Sequence, residues 1–478
     1  MSLEYIGLKG IRGPIIFLEG SDGIGYEDVV EIRLENNELR HGRVIEITGD
    51  IVAVEVFEGT DGMMLKDVHT KFLGHPLKMG LSKEVLGRTF NGVGHPIDGL
   101  GPIFSNQRLD LNGEAINPVS RKYPKNFIET GISAIDTLTT LIRGQKLPIF
   151  TSTGLTHNEL AVEIVKHAKI AEKEHEKFCI VFAAMGVKHD VAQYFKSQFE
   201  QAHVMDRVSM FINTASEPIV ERILAPRAAL TTAEYLAFYE DYHVLVIMTD
   251  MTSYCEALRE FSSSKGEIPG RKGYPGYMYS DLSSLYERAG MIEGKIGSVT
   301  QIPILTMPNN DMTHPIPDLT GYITEGQIVL DPELKQRNIF PPINVLPSLS
   351  RLMKDGIGKD FTRHDHGIVS DQLLAAYAKY KEVTSLSQVI GEDELSDNDQ
   401  SFLLFGKLFE QHFLNQGETS RRLGESLDLG WDLLSILPPE QLTRLSKEQI
   451  STYLHKDKAL LRFNLLENNQ IERILGKN

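Results

Sequence analysis

Short runs of alternating apolar and polar residues dominate the first 75 or so positions of the chain. The stretch GRVIEITGDIVAVEVFEGT places two β-branched runs on either side of Gly49 and Asp50, a pairing typical of a hairpin turn. Several such strands within so short a segment are typical of a small closed barrel. We therefore expect residues 1–75 to form an N-terminal β-barrel.

Longer apolar segments follow, and they alternate with helical stretches. Runs such as KLPIF, FCIVFAAM, VSMFIN and HVLVIMTD are typical of strands that helices cover on both faces of a parallel sheet. Glycine and proline punctuate residues 74–120, where we expect loops and hairpins. The pattern predicts a central α/β domain, which is a candidate nucleotide domain.

Beyond Asp371 the apolar positions recur with a helical period, as in DQLLAAYAKY and SFLLFGKLFEQHFL, and we expect a helix to start near that residue. Ser446 and Gln449 have the spacing of a capping box, in which two side chains satisfy backbone groups at the start of a helix. The sequence therefore predicts a helical C-terminal domain.

Composition and charge narrow the function classes. Acidic residues outnumber basic ones, 65 against 49, for a formal charge of −16, which disfavours binding to a nucleic-acid backbone. Cys179 and Cys255 follow no metal or redox spacing, so we expect buried, inert thiols in a cytosolic protein.

No targeting pattern opens the chain, and its longest apolar run, VLVIM, is far below the ~20 residues of a membrane span. At a membrane, another subunit would have to hold it.

The stretch KLPIFTSTGLTHNELAVEIVKHA has the outline of a P-loop but little of its chemistry. In G-x-x-x-x-G-K-[ST], glycines let backbone N–H groups close on phosphates, Lys neutralises them and the hydroxyl binds Mg²⁺. That frame runs here from Thr151 to Asn158, the vestigial loop, and of its features only Gly154 remains beside the strand and the turn. His157 and Asn158 are poor substitutes for Lys and the hydroxyl. Because plain α/β proteins also contain such turns, other segments must decide.

Two further strands bear on whether a hydrolytic site exists. HVLVIMTD runs into Asp250, where a Walker B carboxylate would reach magnesium, although a strand ending in Asp is also a common helix cap. The strand CIVFAAM should lead to a carboxylate that activates water, but it continues into Gly186, Val187 and Lys188. We therefore expect no ATP hydrolysis by the chain alone.

Six long segments carry a resemblance to a known family: VFEGTDGM, ETGISAIDTLTTLIRGQKLPIF, HVLVIMTDMTSYCEALRE, PGRKGYPGYMYSDLSSLYERAG, PPINVLPSLSRLMKDGIG and QVIGEDELSDND. They resemble the non-catalytic B (beta) subunits of V-type and archaeal-type rotary ATPases over nearly the whole chain. The resemblance implies a multidomain α/β fold. Its parts are an N-terminal β-barrel (1–75), a central P-loop-type, RecA-like nucleotide domain with a mainly parallel sheet (76–355), and a C-terminal helical domain (356–478).

The resemblance also implies an assembly. In this family three B subunits alternate with three catalytic A subunits in a hexameric ring around a central rotor shaft, with peripheral stalk subunits and a membrane ion-translocating sector. A regulatory role on the cytoplasmic face of a membrane is implied, in ATP-driven H⁺ or Na⁺ transport or in ATP synthesis. ATP or ADP with Mg²⁺ would bind at the interface with the catalytic subunit, and this chain alone is expected to hold none.

Arg351 in LPSLSRLM matches the family's arginine finger, which reaches a neighbour's ATP across the interface. A guanidinium is permanently charged and can bind two phosphate oxygens at once, whereas composition alone would favour an ordinary surface ion pair. The other implied site residues form a weak, vestigial nucleotide site: Gly154, His157, Asn158 and Asp250.

Three further segments receive an interpretation. In SSSKGEIPGRKGYPGYMYSDL the aromatic residues Tyr274, Tyr277 and Tyr279 favour an ordered loop. In relatives, the equivalent loop lines the central hole near the shaft, which is the role expected for Pro269–Gly276. GEDELSDND, residues 391–399, resembles the acidic lever segment that meets the shaft. RHDH, with His364 and His366, is interpreted as a polar turn before a helix, and no metal is assigned to it.

Two alternatives stay open. An autonomous hexameric ATPase, either a catalytic ring subunit or an export ATPase, would need the Lys, hydroxyl and base that are missing at His157, Asn158 and Val187. A nucleic-acid translocase resembling the Rho termination factor would need a basic, aromatic-rich strip.

The vestigial loop also departs from its family, because most relatives have Gly and Pro where Ser152 and Thr156 stand here. Nucleotide binding should therefore be weaker than in the family at large.

Overall fold

A computed structural model describes residues 4–105, 107–170 and 176–465. The chain divides into two compact units, each built from separate stretches of sequence. The first unit is Met1–Tyr123 with His175–Thr324, and the second is Pro124–Glu174 with Glu325–Asn478. The domain boundaries at residues 75 and 355 stay predictions.

The first unit opens with an antiparallel sheet whose strands, in chain order, are β1 (Glu4–Ile6), β2 (Gly10–Arg12), β3 (Ile15–Glu19), β4 (Val29–Arg33), β5 (Leu39–Thr48), β6 (Ile51–Val56) and β7 (His69–Phe72). Hydrogen-bonded neighbours follow the order β1-β7-β4-β5-β6-β3-β2. The predicted hairpin turn joins β5 to β6, where Thr48 pairs with Ile51. Alternate side chains such as Val52 and Val54 are buried in this sheet's own core, as a half-buried sheet requires.

The remaining elements follow in chain order. The first unit continues with β8 (Lys78–Leu81), β9 (Thr89–Phe90), β10 (Gln107–Asp110) and β11 (Arg121–Lys122). The second unit then begins with β12 (Phe127–Glu129), α1 (Ser133–Leu138), β13 (Leu141–Ile142), β14 (Ile149–Thr151), α2 (His157–His167) and β15 (Lys169–Ile170).

The chain returns to the first unit for β16 (Lys177–Val187), α3 (His189–Gln201), β17 (Val208–Thr214), α4 (Ile219–Phe238), β18 (Tyr242–Thr249), α5 (Met251–Lys265), α6 (Met278–Tyr286), β19 (Gly290–Ile292), β20 (Ser298–Thr306) and α7 (Pro315–Ile323). The second unit ends with β21 (Gly326–Leu330), α8 (Pro332–Gln336), β22 (Ile343–Ser350), α9 (Met353–Gly356), α10 (His366–Ile390), α11 (Asp397–Leu408), a π-helical turn (Phe409–Leu414), α12 (Leu423–Leu434), α13 (Lys447–Tyr453) and α14 (Lys456–Arg462).

Parallel pairing in the first unit confirms the predicted α/β sheet. β16 is parallel to both β17 and β18, and β18 is parallel to β20. The apolar stretch 244–248 of β18 is completely buried, because strands of a parallel sheet are covered on both faces. This double burial is why these strands appear in the sequence as continuous apolar runs.

The second unit contains the end of the predicted α/β domain and the helical domain. β14 is parallel to β21, β21 is antiparallel to β22, and β12 pairs antiparallel with β13 and β15. Helices α10 to α14 confirm the helical C-terminal segment, and Ser446 and Gln449 form the expected capping box at α13.

One predicted helix start was wrong. α10 begins at His366 and not near Asp371. His366 is completely buried, and its Nε2 lies 3.0 Å from the carbonyl oxygen of Thr137. Asp365 accepts a hydrogen bond from the Trp431 indole at 2.6 Å. These distant contacts add a first turn of helix that the local apolar pattern does not contain.

Other expectations about the chain can be placed on the structure. Cys179 and Cys255 are both buried, and burial raises the pKa of each thiol, so each stays protonated as the interpretation of inert thiols requires. Among residues 4–465, apart from the stretches outside the description, no helix is both long and apolar enough to cross a bilayer.

Candidate functional site

Arg351 directly follows β22 in the second unit, and its side chain is exposed. Its backbone N–H donates to the carbonyl oxygen of Glu325 at 2.9 Å. Glu325 directly precedes β21, the antiparallel partner of β22. The residue that precedes β21 therefore fixes the backbone position of Arg351, the residue that follows β22.

Ser350, the last residue of β22, is held by buried polar groups. Its hydroxyl donates to the carbonyl oxygen of Thr140 at 2.9 Å and accepts from the Gln145 side-chain amide at 2.9 Å. The Gln145 amide oxygen in turn accepts from the Ile142 N–H at 2.9 Å. Gln145 is completely buried, so each of these bonds replaces a contact with water that burial removed.

Lys146 holds Glu325, the residue whose carbonyl oxygen accepts from the Arg351 N–H. Its backbone N–H and its ammonium each lie 2.9 Å from the Glu325 carboxylate. Only 3% of Lys146 is exposed, and a lysine so buried requires a charged partner. Sequence reasoning selected Arg351 but missed Gln145 and Lys146. The available signal was Gln145 and Lys146, two of the three polar residues in the otherwise apolar stretch LIRGQKLPIF.

The vestigial loop lies in the same unit, between β14 and α2. Gly154 has φ +83°, with open space where a Cβ would be, so its backbone conformation is what favours glycine. His157 is the first residue of α2, and its Nδ1 lies 3.1 Å from the carbonyl oxygen of Leu155. Asn158 follows it on the helix and is half-buried. The strand, turn and helix outline of a P-loop is therefore present.

The helix behind this loop carries a paired carboxylate. Burial alone would raise the pKa of Glu163, but hydrogen bonds from His167 and Lys166 lower it below the usual value. The Lys166 ammonium lies 2.9 Å and the His167 Nε2 3.2 Å from the carboxylate. The Lys166 and His167 side chains at the last turn of α2 therefore bond to a carboxylate of their own helix.

Asp250 belongs to the first unit, where it caps α5 at the end of β18. Its Oδ1 accepts from the backbone N–H groups of Thr252 at 2.8 Å and Thr306 at 3.2 Å, and its Oδ2 accepts from the Thr306 hydroxyl at 2.7 Å. The Thr249–Asp250 peptide bond is cis. Both carboxylate oxygens therefore have protein donors. β16 ends at Val187, an apolar residue where a hydrolytic site would need a base.

The loop Pro269–Gly276 is anchored by its tyrosine, Tyr274. Only 2% of Tyr274 is exposed, and its ring lies 5.6 Å from that of His314. Its hydroxyl also donates to Glu256. The segment is thus fixed to the first unit by an aromatic anchor, as its composition indicated.

The acidic stretch and the histidine pair lie in the second unit. Residues 392–394 form an exposed turn after α10. The His364 Nε2 lies 2.6 Å from the Tyr453 hydroxyl, whereas the His366 ring is bonded within the core. The two imidazoles therefore have separate protein partners.

Family comparisons agree with this arrangement of elements. Residues 9–68 match the beta-barrel domain of the ATP synthase alpha/beta family, residues 131–350 match its nucleotide-binding domain, and residues 355–454 match the C-terminal domain of V and A type ATP synthase. Fold and site together define an ATP synthase subunit of the alpha/beta class.

Individual relatives narrow the class. The V-type ATP synthase beta chain 2 of Clostridium tetani is 60% identical over 460 residues, which cover 96% of this chain and 100% of that protein. The B subunit of the A-type ATP synthase of Aeropyrum pernix is 52% identical over 457 residues, which cover 95% and 98%. A solved structure of the ATP synthase subunit NeqB from Nanoarcheaum equitans has a TM-score of 0.70 and 38% identity, and covers 88% of this chain and 98% of that one. The chain belongs to the family of V-type and A-type ATP synthase beta chains, or B subunits.

Membership of this family carries two general properties. The chain has a nucleotide-binding domain of the ATP synthase type, and it works as one subunit of a larger ATP synthase assembly.

Proposed function

We propose that this chain is the non-catalytic, regulatory subunit of an alternating ring, in which Arg351 completes an ATP site on the neighbouring catalytic subunit. The observation that carries the proposal is an exposed arginine whose backbone N–H is held by the Glu325 carbonyl, and whose preceding residue, Ser350, is held by hydrogen bonds with Thr140 and the buried Gln145. An ordinary surface arginine needs no such support. An arginine that must meet a phosphate at a fixed distance does need it.

The chemistry of phosphoryl transfer suits this residue. Negative charge spreads over the oxygens of the transferred phosphoryl group in the transition state. A guanidinium donates two parallel hydrogen bonds to such oxygens and keeps its charge throughout. Arg351 would therefore stabilise the transition state without accepting or donating a proton.

The remaining parts of the machine come from other subunits. ATP or ADP with Mg²⁺ would bind at the interface, held mainly by the catalytic A subunit, in a ring of three A and three B subunits. Pro269–Gly276 and residues 391–399 would face the central rotor shaft, and peripheral stalk subunits would hold the ring. The membrane sector would couple turnover to H⁺ or Na⁺ movement on the cytoplasmic side.

The proposal is tested by ATP turnover in rings reconstituted with Arg351→Ala. We expect normal assembly and a loss of ~10³-fold or more in turnover, the range of arginine fingers. Arg351→Lys should rescue only part of this loss because an ammonium cannot bind two oxygens in the same fork. Arg444→Ala, at another exposed position of the second unit, is the matched control. Near-normal turnover by the Arg351→Ala ring would refute the proposal.

A further inference from the structure

A cavity in the first unit lies where the antiparallel sheet of β1 to β7 meets helices α4, α5 and α6. Its volume is about 500 Å³, within the range of binding sites for small molecules. The sheet contributes Arg43 from β5 and Glu55 from β6, and the helices contribute Arg227 from α4 and Asp281 from α6. We call this space the charged cavity. It contains neither Arg351 nor any residue of the vestigial loop.

The charges on the wall of the charged cavity are paired with one another. The ion pairs are Arg43 with Glu55 and Glu27, Arg227 with Asp281, and Lys265 with Glu267. Three cations thus stand beside four carboxylates, so neither an anion nor a cation would find a free partner here. A buried charge without a partner is costly. A ligand of this cavity should therefore be uncharged.

Arg227 carries a hydrogen-bond donor that lacks an acceptor. Only 11% of its side chain is exposed, and its Nε is buried with no hydrogen-bond partner among the described residues. Asp281 is engaged elsewhere, because it accepts from Nη2 of Arg227 at 2.8 Å and from the Tyr254 hydroxyl. A buried donor without an acceptor costs stability, and more so when it is charged. An acceptor oxygen of a ligand at this wall would satisfy it.

Arg43 supplies a second donor to the same space. Its Nε and Nη1 donate to carboxylates and to the Asn112 amide oxygen, whereas its Nη2 has no hydrogen-bond partner in the part of the chain that the structure describes. The two guanidinium groups are neighbours. Burial acts to lower the pKa of Arg227, Tyr254 and Asp281 raise it above the usual value, and Arg43 is close enough to oppose them. Two guanidinium donors therefore face one cavity.

We propose that the charged cavity binds a small uncharged polyol, of the size of a monosaccharide or a cyclitol. Each hydroxyl is at once a donor and an acceptor, so one such molecule can accept from Arg43 and Arg227 and donate to the carboxylates beside them. The exposed rings of Tyr26 and Tyr277 line the same cavity and would pack against the apolar C–H face of the polyol. This proposal is independent of what Arg351 does.

A bound polyol should also stabilise the first unit against unfolding. It would contact the sheet through Arg43 and the helices through Arg227, an arrangement that exists only in the folded chain. Binding to the folded state alone raises the unfolding temperature. Sugars also stabilise any chain because they are excluded from its surface. The effect of the site is therefore the difference between the unmodified chain and a variant whose cavity is filled.

The test is saturation-transfer difference NMR of the purified full chain, with D-glucose and myo-inositol as the probes. We expect at least one of them to bind with a dissociation constant of ~1 mM, which is typical of so small a ligand. Arg227→Met removes the donor that lacks an acceptor and should weaken binding at least tenfold. Ser284→Phe should abolish binding because the larger side chain fills the cavity. Arg33→Met, at an exposed position of β4, should leave it unchanged.

Glucuronate and glucosamine, the anionic and cationic analogues of glucose, should each bind at least tenfold more weakly than the better probe. Three results would overturn the proposal: no binding of either probe, equal binding by the folded Arg227→Met or Ser284→Phe chain, or a charged analogue that binds more tightly than both probes. Circular dichroism of each variant separates these results from misfolding. Because no ring is assembled, the outcome is independent of the proposed role of Arg351.

Discussion

At the scale of single residues, the position of Arg351 depends on buried groups that never touch a phosphate. Gln145 holds Ser350 on one side of it, and Lys146 holds Glu325 on the other. A shift of about 1 Å in a catalytic group can cost about a hundredfold in rate. In the proposed mechanism, these buried polar residues contribute by positioning the arginine.

Gln145→Ala should lower ATP turnover by the ring although Arg351 itself is unchanged. The change leaves the Ile142 N–H without its acceptor and the Ser350 hydroxyl without a donor, at a cost of about 1–3 kcal/mol for each buried group. We expect turnover to fall ~10-fold to 100-fold, together with a lower free energy of unfolding in urea. Gln107→Ala, at an exposed position, should change neither. Unchanged turnover in a destabilised Gln145→Ala ring would show that Gln145 does not position the arginine.

Glu221 gives the first unit a pH dependence near neutrality. Burial, reinforced by Glu217 and Glu58, raises its pKa to about 7 from the usual 4.5. The folded chain therefore holds this proton more tightly than the unfolded chain, and the associated stability is present at low pH and lost as pH rises through about 7. Glu221→Gln cannot ionise, so its unfolding free energy should fall less between pH 5 and pH 8, by on the order of 3 kcal/mol. Exposed Glu84→Gln is the control, and equal pH profiles for Glu221→Gln and the unmodified chain would contradict the assignment.

At the scale of elements, the pairing of β21 with β22 determines where the arginine lies. Gly326 opens β21 with φ +145°, and a Cβ there would meet the Leu349 carbonyl oxygen of β22 at 2.2 Å. A side chain would therefore separate the two strands at the end nearest to Arg351. The pair tolerates only glycine at this point.

Gly326→Ala should destabilise the chain by about 3 kcal/mol, since it combines a rare backbone conformation with a steric clash against backbone. Gly358→Ala isolates the first of these effects, because Gly358 has φ +91° and open space around its Cβ position. We expect it to cost about 1 kcal/mol. Urea unfolding of both variants measures the difference. Equal losses would mean that the strand pair relaxes around the added methyl group.

The sequence was informative about elements wherever local pattern decides them. Alternation in the N-terminal segment and continuous apolar runs such as that of β18 each predicted the correct type of sheet, because one-sided and two-sided burial leave different patterns. The first turn of α10 was missed because His366 is buried by a contact with Thr137, 229 residues away in sequence. Gln145 and Ser350 are 205 residues apart. No local sequence pattern contains such pairs, so the residues that support the site could be identified only from the structure.

At the scale of the whole molecule, the chain has the framework of an ATP-hydrolysing domain without its reacting groups. The vestigial loop carries His157 and Asn158 in place of Lys and the hydroxyl, and β16 ends at Val187. The Asp250 oxygens are used by Thr252 and Thr306. The proposed contribution to turnover is therefore one made through a neighbouring subunit.

The purified chain should not hydrolyse ATP, and repairing the loop alone should not change this. A variant with Thr156→Gly, His157→Lys and Asn158→Thr regains the loop's phosphate and magnesium groups, so it should bind Mg-ATP more tightly. It still lacks a base at Val187, and its turnover should stay at background. Calorimetry and a coupled ATPase assay measure the two quantities. Hydrolysis by the unmodified chain would contradict the non-catalytic assignment.

The most direct measurement is a structure of the assembled ring with a transition-state analogue of ATP hydrolysis bound to the catalytic subunit. We predict that the Arg351 guanidinium lies about 3 Å from oxygens of the γ-phosphate mimic, at hydrogen-bonding distance. A guanidinium more than ~8 Å from every phosphate, beyond the reach of hydrogen bonds and largely screened, would contradict it.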